Sequence, residues 1–96
     1  VPLPEFFALY QNYPNPFNPV TTIRYDLPQR SAVELTIYDV LGRRVTVLVS
    51  GELVSGFHEV VWDGTDKSGN HVGAGIYLYR IQAGKYIKTR KMLLLR

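Results

Sequence analysis

Apolar residues recur at every second position over two stretches in the first half of the chain, Val20–Leu27 and Ala32–Val40. Successive side chains of a β-strand point to opposite faces, so a period of two predicts two half-buried strands. The residues expected to face the core are Ile23, Tyr25, Leu27, Val33, Leu35 and Ile37.

Shorter apolar runs predict the remaining strands. They are Phe6–Tyr10 at a sheet edge, Arg44–Val49, and a final strand Tyr86–Leu95. In Arg44–Val49, the side chains of Val45, Val47 and Val49 are expected to lie on one face of the strand. Turns or connections are expected at residues 41–43, 50–56 and 83–85, which contain the chain-reversing residues Gly and Ser.

The stretch from Phe57 to Ile81 predicts a hairpin. Two β-type runs, HEVVW and GIYLYRI, flank a loop rich in Gly, Asp, Ser and Asn. Such residues reverse a chain readily, because glycine accepts positive φ and short polar side chains cap their own backbone. On the two arms, Trp62, Tyr77 and Tyr79 are expected to supply most of the large surface of the core.

The final strand departs from simple alternation. Arg90 falls on the same face as Met92 and Leu94, whereas Leu93 and Leu95 fall on the other. Two explanations are open. Either a bulge shifts the phase midway along the strand, or the end of the strand is apolar on both faces.

A proline-rich segment precedes the first alternating strand. Its three prolines, within residues 14–19, fix φ and remove backbone donors, so the segment can be neither helix nor central strand. Tyr13 and Phe17 are expected to pin it onto the sheet. Residues 1–12 are interpreted as a linker with the first edge strand, and residues 13–96 as the folded domain.

These strand-length runs, separated by turns about every 8–12 residues, are typical of an antiparallel sandwich. No segment shows a sustained helical period. The 96 residues therefore predict a single all-β domain, an immunoglobulin-like antiparallel β-sandwich of about seven strands. The opening VPLPEF is typical of a linker, so we interpret the chain as a fragment from the C-terminal end of a longer protein.

Charge is divided unevenly along the chain, whose net charge is +3. Residues 1–66 contain eight acids and four bases, and residues 67–96 contain seven bases and no acid. The basic end is suited to an acidic protein surface, a lipid headgroup or nucleic acid. Alternatively, its Lys and Arg residues serve solubility and protect sheet edges from association.

Residues that could carry chemistry do not form a recognisable set. Cysteine is absent, no apolar run approaches the roughly 20 residues of a membrane-spanning helix, and no nucleophile elbow occurs. Asp63 or Asp66 could join His71 at a zinc site, but such a site needs three or four converging ligands and nothing in the sequence fixes that geometry. Asp63, Asp66, Ser68 and Asn70 offer oxygens for calcium, but they do not follow the EF-hand spacing. We expect the loop acids to cap turns and His58 to be a hydrogen-bonded residue at the core edge. The sequence therefore predicts no catalytic activity, no metal site and no cofactor.

Five stretches, in their order and spacing, resemble the type A C-terminal sorting domain of the type IX secretion system. They are YPNPFNPVTTIRYDLP from Tyr13, VLGRRV from Val40, GFHEVVWDG from Gly56, GIYLYR from Gly75 and KMLLLR from Lys91. The immunoglobulin-like domain of the flagellar hook-capping protein is a neighbouring family and shares the W-D-G and G-x-Y stretches. The Pro-Asn-Pro opening together with the basic and apolar C-terminal stretch favours the sorting domain.

The resemblance implies a non-enzymatic module that follows an upstream cargo domain and directs it to the cell surface or outside the cell. Its partners would be the outer-membrane secretion machinery and a cell-surface sortase, with no nucleic acid. The recognition signal would be Lys91, Met92, Leu93, Leu94, Leu95 and Arg96. The structural motif residues would be Pro14, Asn15, Pro16, Gly42, Trp62, Asp63, Gly64, Gly75 and Tyr77. Because sheet edges with apolar side chains invite pairing, we expect a partner to add a strand beside the signal.

Two other functions fit the same residues. The first is a structural or adhesive immunoglobulin-like spacer beside a catalytic domain. The second is a carbohydrate-binding module that uses exposed aromatic side chains such as Tyr38, although such side chains in a sandwich are more often cross-strand partners.

Overall fold

The computed structural model describes residues 2–96, which form seven β-strands and no helix. The strands are β1 (Ala8–Leu9), β2 (Thr21–Leu27), β3 (Ser31–Asp39), β4 (Arg44–Leu53), β5 (Gly56–Trp62), β6 (Gly75–Ala83) and β7 (Tyr86–Leu94). Val1, the first residue of the predicted linker, lies outside the described residues. The first strand is shorter than the predicted Phe6–Tyr10 because only two residues pair with β2.

Two antiparallel sheets face each other. One has the strand order β1-β2-β5 and the other the order β4-β3-β6-β7. Across the gap between the sheets, β1 contacts β7 and β5 contacts β4. This arrangement confirms the predicted all-β, immunoglobulin-like antiparallel β-sandwich of seven strands.

The core lies between the two sheets and follows the predicted alternation. Its buried apolar residues are Leu9, Phe17, Ile23, Tyr25, Leu27, Val33, Leu35, Ile37, Trp62, Tyr77, Tyr79, Ile81, Ala83, Met92 and Leu94. Burying a large apolar side chain stabilises a fold by about 1.5–3 kcal/mol, so this cluster supplies the main driving force for folding. The expected contribution of Trp62, Tyr77 and Tyr79 to the core is confirmed.

The predicted hairpin between Phe57 and Ile81 is wrong. β5 pairs with β2, whereas β6 pairs with β3 and β7, so the two runs belong to different sheets. The loop between them carries the chain from one sheet to the other. Alternation identifies which face of a strand is buried but not which strand lies beside it, and a turn-rich loop suits either connection.

β4 is longer and less regular than predicted. It runs from Arg44 to Leu53, so most of the predicted connection at residues 50–56 is strand. Two register shifts against β3 change its phase. As a result, Val45 and Val49 pack against the core whereas Val47 is 37% exposed, and the expected shared face of the three valines is wrong.

β7 forms the predicted tight hairpin with β6 through residues 84–85. The pairing has no register shift along its length, so the bulge explanation is wrong. The end of the strand is instead apolar on both faces, as the other explanation requires. Met92 and Leu94 are buried on the inner face, while on the outer face Leu93 is half-buried and Leu95 is 47% exposed.

The proline-rich segment is attached to the sandwich by Phe17, whose side chain is 1% exposed. Tyr13 does not have the expected anchoring role, because its side chain is 81% exposed. Its backbone pairs with that of Thr22 instead, through two hydrogen bonds whose nitrogen-to-oxygen distances are both 2.9 Å. One aromatic residue therefore pins this segment, and the other projects from it.

Candidate functional site

The motif residues from separate parts of the chain meet at one end of the sandwich. Trp62, at the end of β5, pairs with the start of β2. Tyr77 pairs with the end of β3, and Gly75 pairs with Leu94 at the end of β7. Gly42 lies in the β3–β4 turn on the same side. We refer to this side as the motif end.

The proline-rich segment covers the outer edge of β7 at the motif end. The Phe17 N–H donates to the Leu93 carbonyl (3.0 Å), and the Leu95 N–H donates to the Phe17 carbonyl (2.8 Å). The Leu93 N–H donates to Oδ1 of Asn15 (3.0 Å). The expected addition of a partner strand beside residues 93–95 is therefore wrong for this conformation, because the chain already occupies that edge.

Three aromatic rings connect this segment to both sheets. The Trp62 ring centroid lies 5.7 Å from that of Phe17 and 5.4 Å from that of Tyr77, the latter pair edge to face. The Trp62 indole N–H donates to the Thr65 carbonyl (2.9 Å) and the Tyr77 hydroxyl donates to the Gly73 carbonyl (2.6 Å). The aromatic cluster thereby holds both ends of the β5–β6 loop.

Arg96 also contacts the β5–β6 loop. Its Nε donates to the Val72 carbonyl (2.7 Å), and its guanidinium reaches the Gly64 carbonyl at 3.5 Å. Gly64 has a φ of +78°, and a Cβ there would lie 3.3 Å from the carbonyl oxygen of Pro19. The positive φ favours glycine at this position, and the close approach leaves little room for a side chain. Arg96, a member of the predicted recognition signal, thus bonds a loop of its own domain.

The acids of the β5–β6 loop cap turns, as predicted. Oδ1 of Asp66 accepts from the N–H groups of Ser68 (2.9 Å) and Asn70 (3.0 Å). The Thr65 hydroxyl donates to Asp63 and, with the Thr65 N–H, holds the pKa of the Asp63 carboxyl below its usual value. Among the described residues, no three His, Asp or Glu side chains lie close enough together to hold a metal ion.

A second capped turn, between β3 and β4, contains the motif residue Gly42 with a φ of +79°. The Asp39 carboxylate accepts from the N–H groups of Leu41 and Arg43, each at 2.9 Å, and from the Arg43 guanidinium at 2.7 Å. The backbone N–H of Arg43 is the main cause that holds the pKa of Asp39 below its usual value.

We expect the free energy of unfolding to fall as the pH is lowered below about 4, and to fall less in an Asp39→Ala variant. Because the pKa of Asp39 is lower in the folded chain than in the unfolded chain, its contribution is present above the unfolded pKa. That contribution is lost as the pH falls through the folded pKa. Urea unfolding at pH 7 and pH 3 measures the difference. An equal loss in the parent and the variant would contradict this role of Asp39.

The outer face of the four-stranded sheet at the motif end combines apolar and basic side chains. Ile76 lies opposite Leu93, and Leu78 lies opposite Lys91. Ile76 and Leu95 are each 47% exposed, and Lys91 is exposed. We call these five residues the apolar–basic face. It includes the outward-facing members of the predicted signal, whereas Met92 and Leu94 are part of the core.

The residues first considered for chemistry are separated in the fold. His58 stacks on Tyr25, with centroids 5.4 Å apart, and its Nε2 lies 2.8 Å from the Val54 carbonyl oxygen. This confirms its predicted position as a hydrogen-bonded residue at the core edge. His71 lies in the β5–β6 loop, where its backbone pairs with Thr65.

Asn12 is a structural residue that the sequence pattern did not reveal. It is 2% exposed, and its backbone N–H donates to the Tyr79 hydroxyl (2.8 Å). Its side-chain amide donates to the Thr21 hydroxyl (3.0 Å) and to the Pro14 carbonyl (3.2 Å). These bonds join the proline-rich segment to both sheets. An asparagine just before a proline-rich segment is the only local signal for this role.

The fold defines a small immunoglobulin-like module. The model of the FlgD Ig-like domain family matches residues 19–86. The chain belongs to this family.

Three solved structures resemble the chain. Dimeric latent PorU from Porphyromonas gingivalis is 27% identical with a TM-score of 0.72, and the match covers 88% of this chain and 9% of PorU. PorZ, described as an essential surface component of the type IX secretion system of the same bacterium, is 24% identical, with a TM-score of 0.61 and coverages of 94% and 11%.

FlgD from Pseudomonas aeruginosa is 29% identical, with a TM-score of 0.60, over 77% of this chain and 57% of that chain. The chain therefore spans about a tenth of PorU and PorZ and little more than half of FlgD. A search of the curated proteins finds no match. Residues 2–96 contain no helix long and apolar enough to cross a membrane.

Proposed function

We propose that the chain is a non-enzymatic C-terminal sorting domain of the type IX secretion system. It directs an upstream cargo domain through the outer-membrane secretion machinery to the cell surface, or out of the cell, and a cell-surface sortase acts on the delivered protein. It uses no cofactor and binds no nucleic acid.

The observation that carries this proposal is the pairing of the two segments outside the family match. The match covers residues 19–86, so it includes neither the Pro-Asn-Pro segment nor the predicted signal. These two segments hydrogen-bond to each other through Asn15, Phe17, Leu93 and Leu95. They thus form one structural unit, built onto the sandwich that the family shares.

The surface available to a receptor is the apolar–basic face. The edge of β7 beside Leu93 is occupied, and Met92 and Leu94 are buried. The outward side chains present apolar area next to the positive charge of Lys91, a combination suited to an acidic receptor surface with an apolar centre. Lys91 would increase the rate of encounter, and Leu93 would contribute buried area.

The resemblances support a link to this secretion system. A part of PorZ, described as a surface component of that system, has a similar fold, and a part of PorU is similar over most of this chain. By analogy, we expect this chain to act at the C-terminal end of an exported protein, as the resemblance of its motifs implies.

The proposal is tested by fusing a secreted reporter ahead of residues 1–96 in a bacterium that has this secretion system. The test variant is Lys91→Glu with Leu93→Ser, which changes the apolar–basic face and spares the core. We expect surface delivery to fall at least about tenfold, as a loss of about 1.4 kcal/mol in receptor binding would produce. Circular dichroism of the purified domains checks that the variant folds.

The matched control is Lys85→Glu with Ile87→Ser, the same chemical changes at the far end of the same hairpin. Ile87 is 50% exposed, similar to Ile76 and Leu95 of the apolar–basic face. The control should be delivered normally. Undiminished delivery of the test variant would contradict recognition through this face. Deleting residues 91–96 would be a poor test, because it removes Met92 and Leu94 from the core.

The second candidate function is an immunoglobulin-like spacer or adhesive module, which the family match with FlgD favours. A spacer needs a stable fold but no receptor. In the same assay, a spacer would leave the reporter inside the cell whether or not the apolar–basic face is changed.

A further inference from the structure

Four aromatic side chains project from the outer side of the three-stranded sheet and the segment beside it. Their exposed fractions are 77% for Phe6, 39% for Tyr10, 81% for Tyr13 and 66% for Phe57. All other aromatic side chains within residues 2–96 are buried or half-buried. Exposing large rings costs hydration free energy, so their restriction to one surface indicates a binding role.

The strand register arranges three of these rings along β2. The neighbours across the sheet, in order along the strand, are Asp26 with Phe57, Arg24 with Tyr10 and Thr22 with Tyr13. Residues two apart on a strand are about 6.8 Å apart and share a face. The rings therefore flank the strand at successive steps, with Phe57 on its β5 side and Tyr10 and Tyr13 on its other side.

These side chains line three neighbouring depressions. The central one, about 500 Å³, is walled by Tyr10, Arg24, Asp26, Phe57 and Glu59. The depression nearer the first residues of the chain shares the walls Tyr10, Asp26 and Phe57 with it. The third shares Arg24 and Glu59 with it and is also lined by Tyr13. We call these three depressions together the aromatic groove.

The charged side chains of the groove have both signs, and among the described residues no ion pair joins any two of them. Arg24 lies directly opposite Glu59 in the register, yet no ion pair joins them in the part of the chain that the structure describes. The Arg24 guanidinium lies instead over the Tyr10 ring, 5.5 Å from its centroid. Asp26 accepts a hydrogen bond from the Tyr10 hydroxyl. Glu59 accepts none within residues 2–96.

The combination of acidic and basic side chains in the groove favours a neutral ligand rich in hydroxyl groups. An anionic ligand would meet Asp26 and Glu59, and a cationic one would meet Arg24. A hydroxyl group can donate to a carboxylate and accept from a guanidinium, so it matches both signs. The flat ring faces suit the apolar side of a sugar ring, whose C–H groups pack against an aromatic surface.

We propose that the aromatic groove binds an extended neutral carbohydrate chain. The rings of Phe57, Tyr10 and Tyr13 stack on successive parts of the ligand, while Arg24 and Glu59 bond its hydroxyl groups. The groove lies on the opposite sheet from the apolar–basic face, so the two surfaces can act independently.

The test is native affinity electrophoresis of the folded domain in gels that contain barley β-glucan, xylan or galactomannan. We expect at least one of these neutral polysaccharides to retard the domain. Tyr13→Ala and Phe57→Ala should each weaken binding about tenfold, since each removes one stacked ring. Ile87→Ala, a truncation of similar exposure on the other sheet, should bind like the parent.

Three outcomes would overturn the proposal. One is no retardation by any of the three neutral polysaccharides. Another is retardation by heparin alone, which would reflect the net charge of +3 rather than the groove. The last is sedimentation of the domain as a dimer that Tyr13→Ala and Phe57→Ala convert to a monomer, because the groove would then be an interface between copies. Circular dichroism of each variant excludes unfolding as the cause.

Discussion

Replacing Trp62 by alanine is expected to lower the free energy of unfolding by about 3–5 kcal/mol. The side chain is 1% exposed and its ring contacts those of Phe17 and Tyr77. The substitution leaves a cavity between the sheets, removes two aromatic contacts and deprives the Thr65 carbonyl of its donor. A domain of this length has a total stability of roughly 5–14 kcal/mol, so the loss is a large fraction of it.

Urea denaturation followed by circular dichroism measures this loss. The matched control is Val61→Ala, at the neighbouring position on β5, where the side chain is 55% exposed on the opposite face. That control should change the stability by no more than about 0.5 kcal/mol. A loss below about 1 kcal/mol for Trp62→Ala would show that Trp62 is not a central core residue.

Replacing Phe17 by alanine is expected to cost a similar amount, about 3–5 kcal/mol, and to have a local consequence as well. Phe17 is the only residue of the proline-rich segment with a fully buried aromatic ring among those described. Its backbone also bonds Leu93 and Leu95. Without the ring, the segment should detach from β7, and the amide hydrogens of Leu93 and Leu95 should exchange with solvent faster than those in the middle of β6.

Hydrogen exchange by NMR, together with urea denaturation, measures both effects. Tyr13→Ala serves as the control, because it removes an aromatic ring from the same segment at a site that is 81% exposed. That variant should keep the parent's stability and exchange rates. Slow exchange at Leu93 and Leu95 in the Phe17→Ala variant would contradict the anchoring role of Phe17.

The inward faces of the strands were predictable because burial imposes a period of two on the sequence. Ile23, Leu35 and Tyr79 occupy the expected core positions, and each is fully buried. The number of strands followed from the same pattern together with the turn residues. Both features depend on local properties of the chain, which a single sequence contains.

The errors concern features that depend on distant parts of the chain. β5 pairs with β2 rather than with β6. The sequence of β5 itself does not indicate which strand lies beside it. The register shifts in β4, which turn Val47 outward, depend on how β3 lies beside it. The edge of β7 is covered by a segment more than seventy residues earlier in the chain, so the pattern of β7 alone predicts an open edge.

The candidate site was predictable only in part. The motif residues came from a family resemblance, and the structure brings them together at one end of the sandwich. Their roles, however, differ from residue to residue. Met92 and Leu94 are buried in the core and Arg96 bonds a loop, whereas Lys91, Leu93 and Leu95 face outward. Contact with a receptor through these three residues is our proposal. A sequence cannot separate these roles when the residues are adjacent.

The sorting role is tested most directly by exchanging the domain at the C-terminus of one secreted reporter. One fusion carries residues 1–96, and the other carries the immunoglobulin-like domain of Pseudomonas aeruginosa FlgD, which has a similar fold at 29% identity. Both are expressed in a bacterium with the type IX secretion system, and surface reporter is counted by antibody labelling of intact cells. We expect delivery with residues 1–96 and none with the FlgD domain. Equal amounts at the surface, or none with either fusion, would contradict a sorting function for this chain.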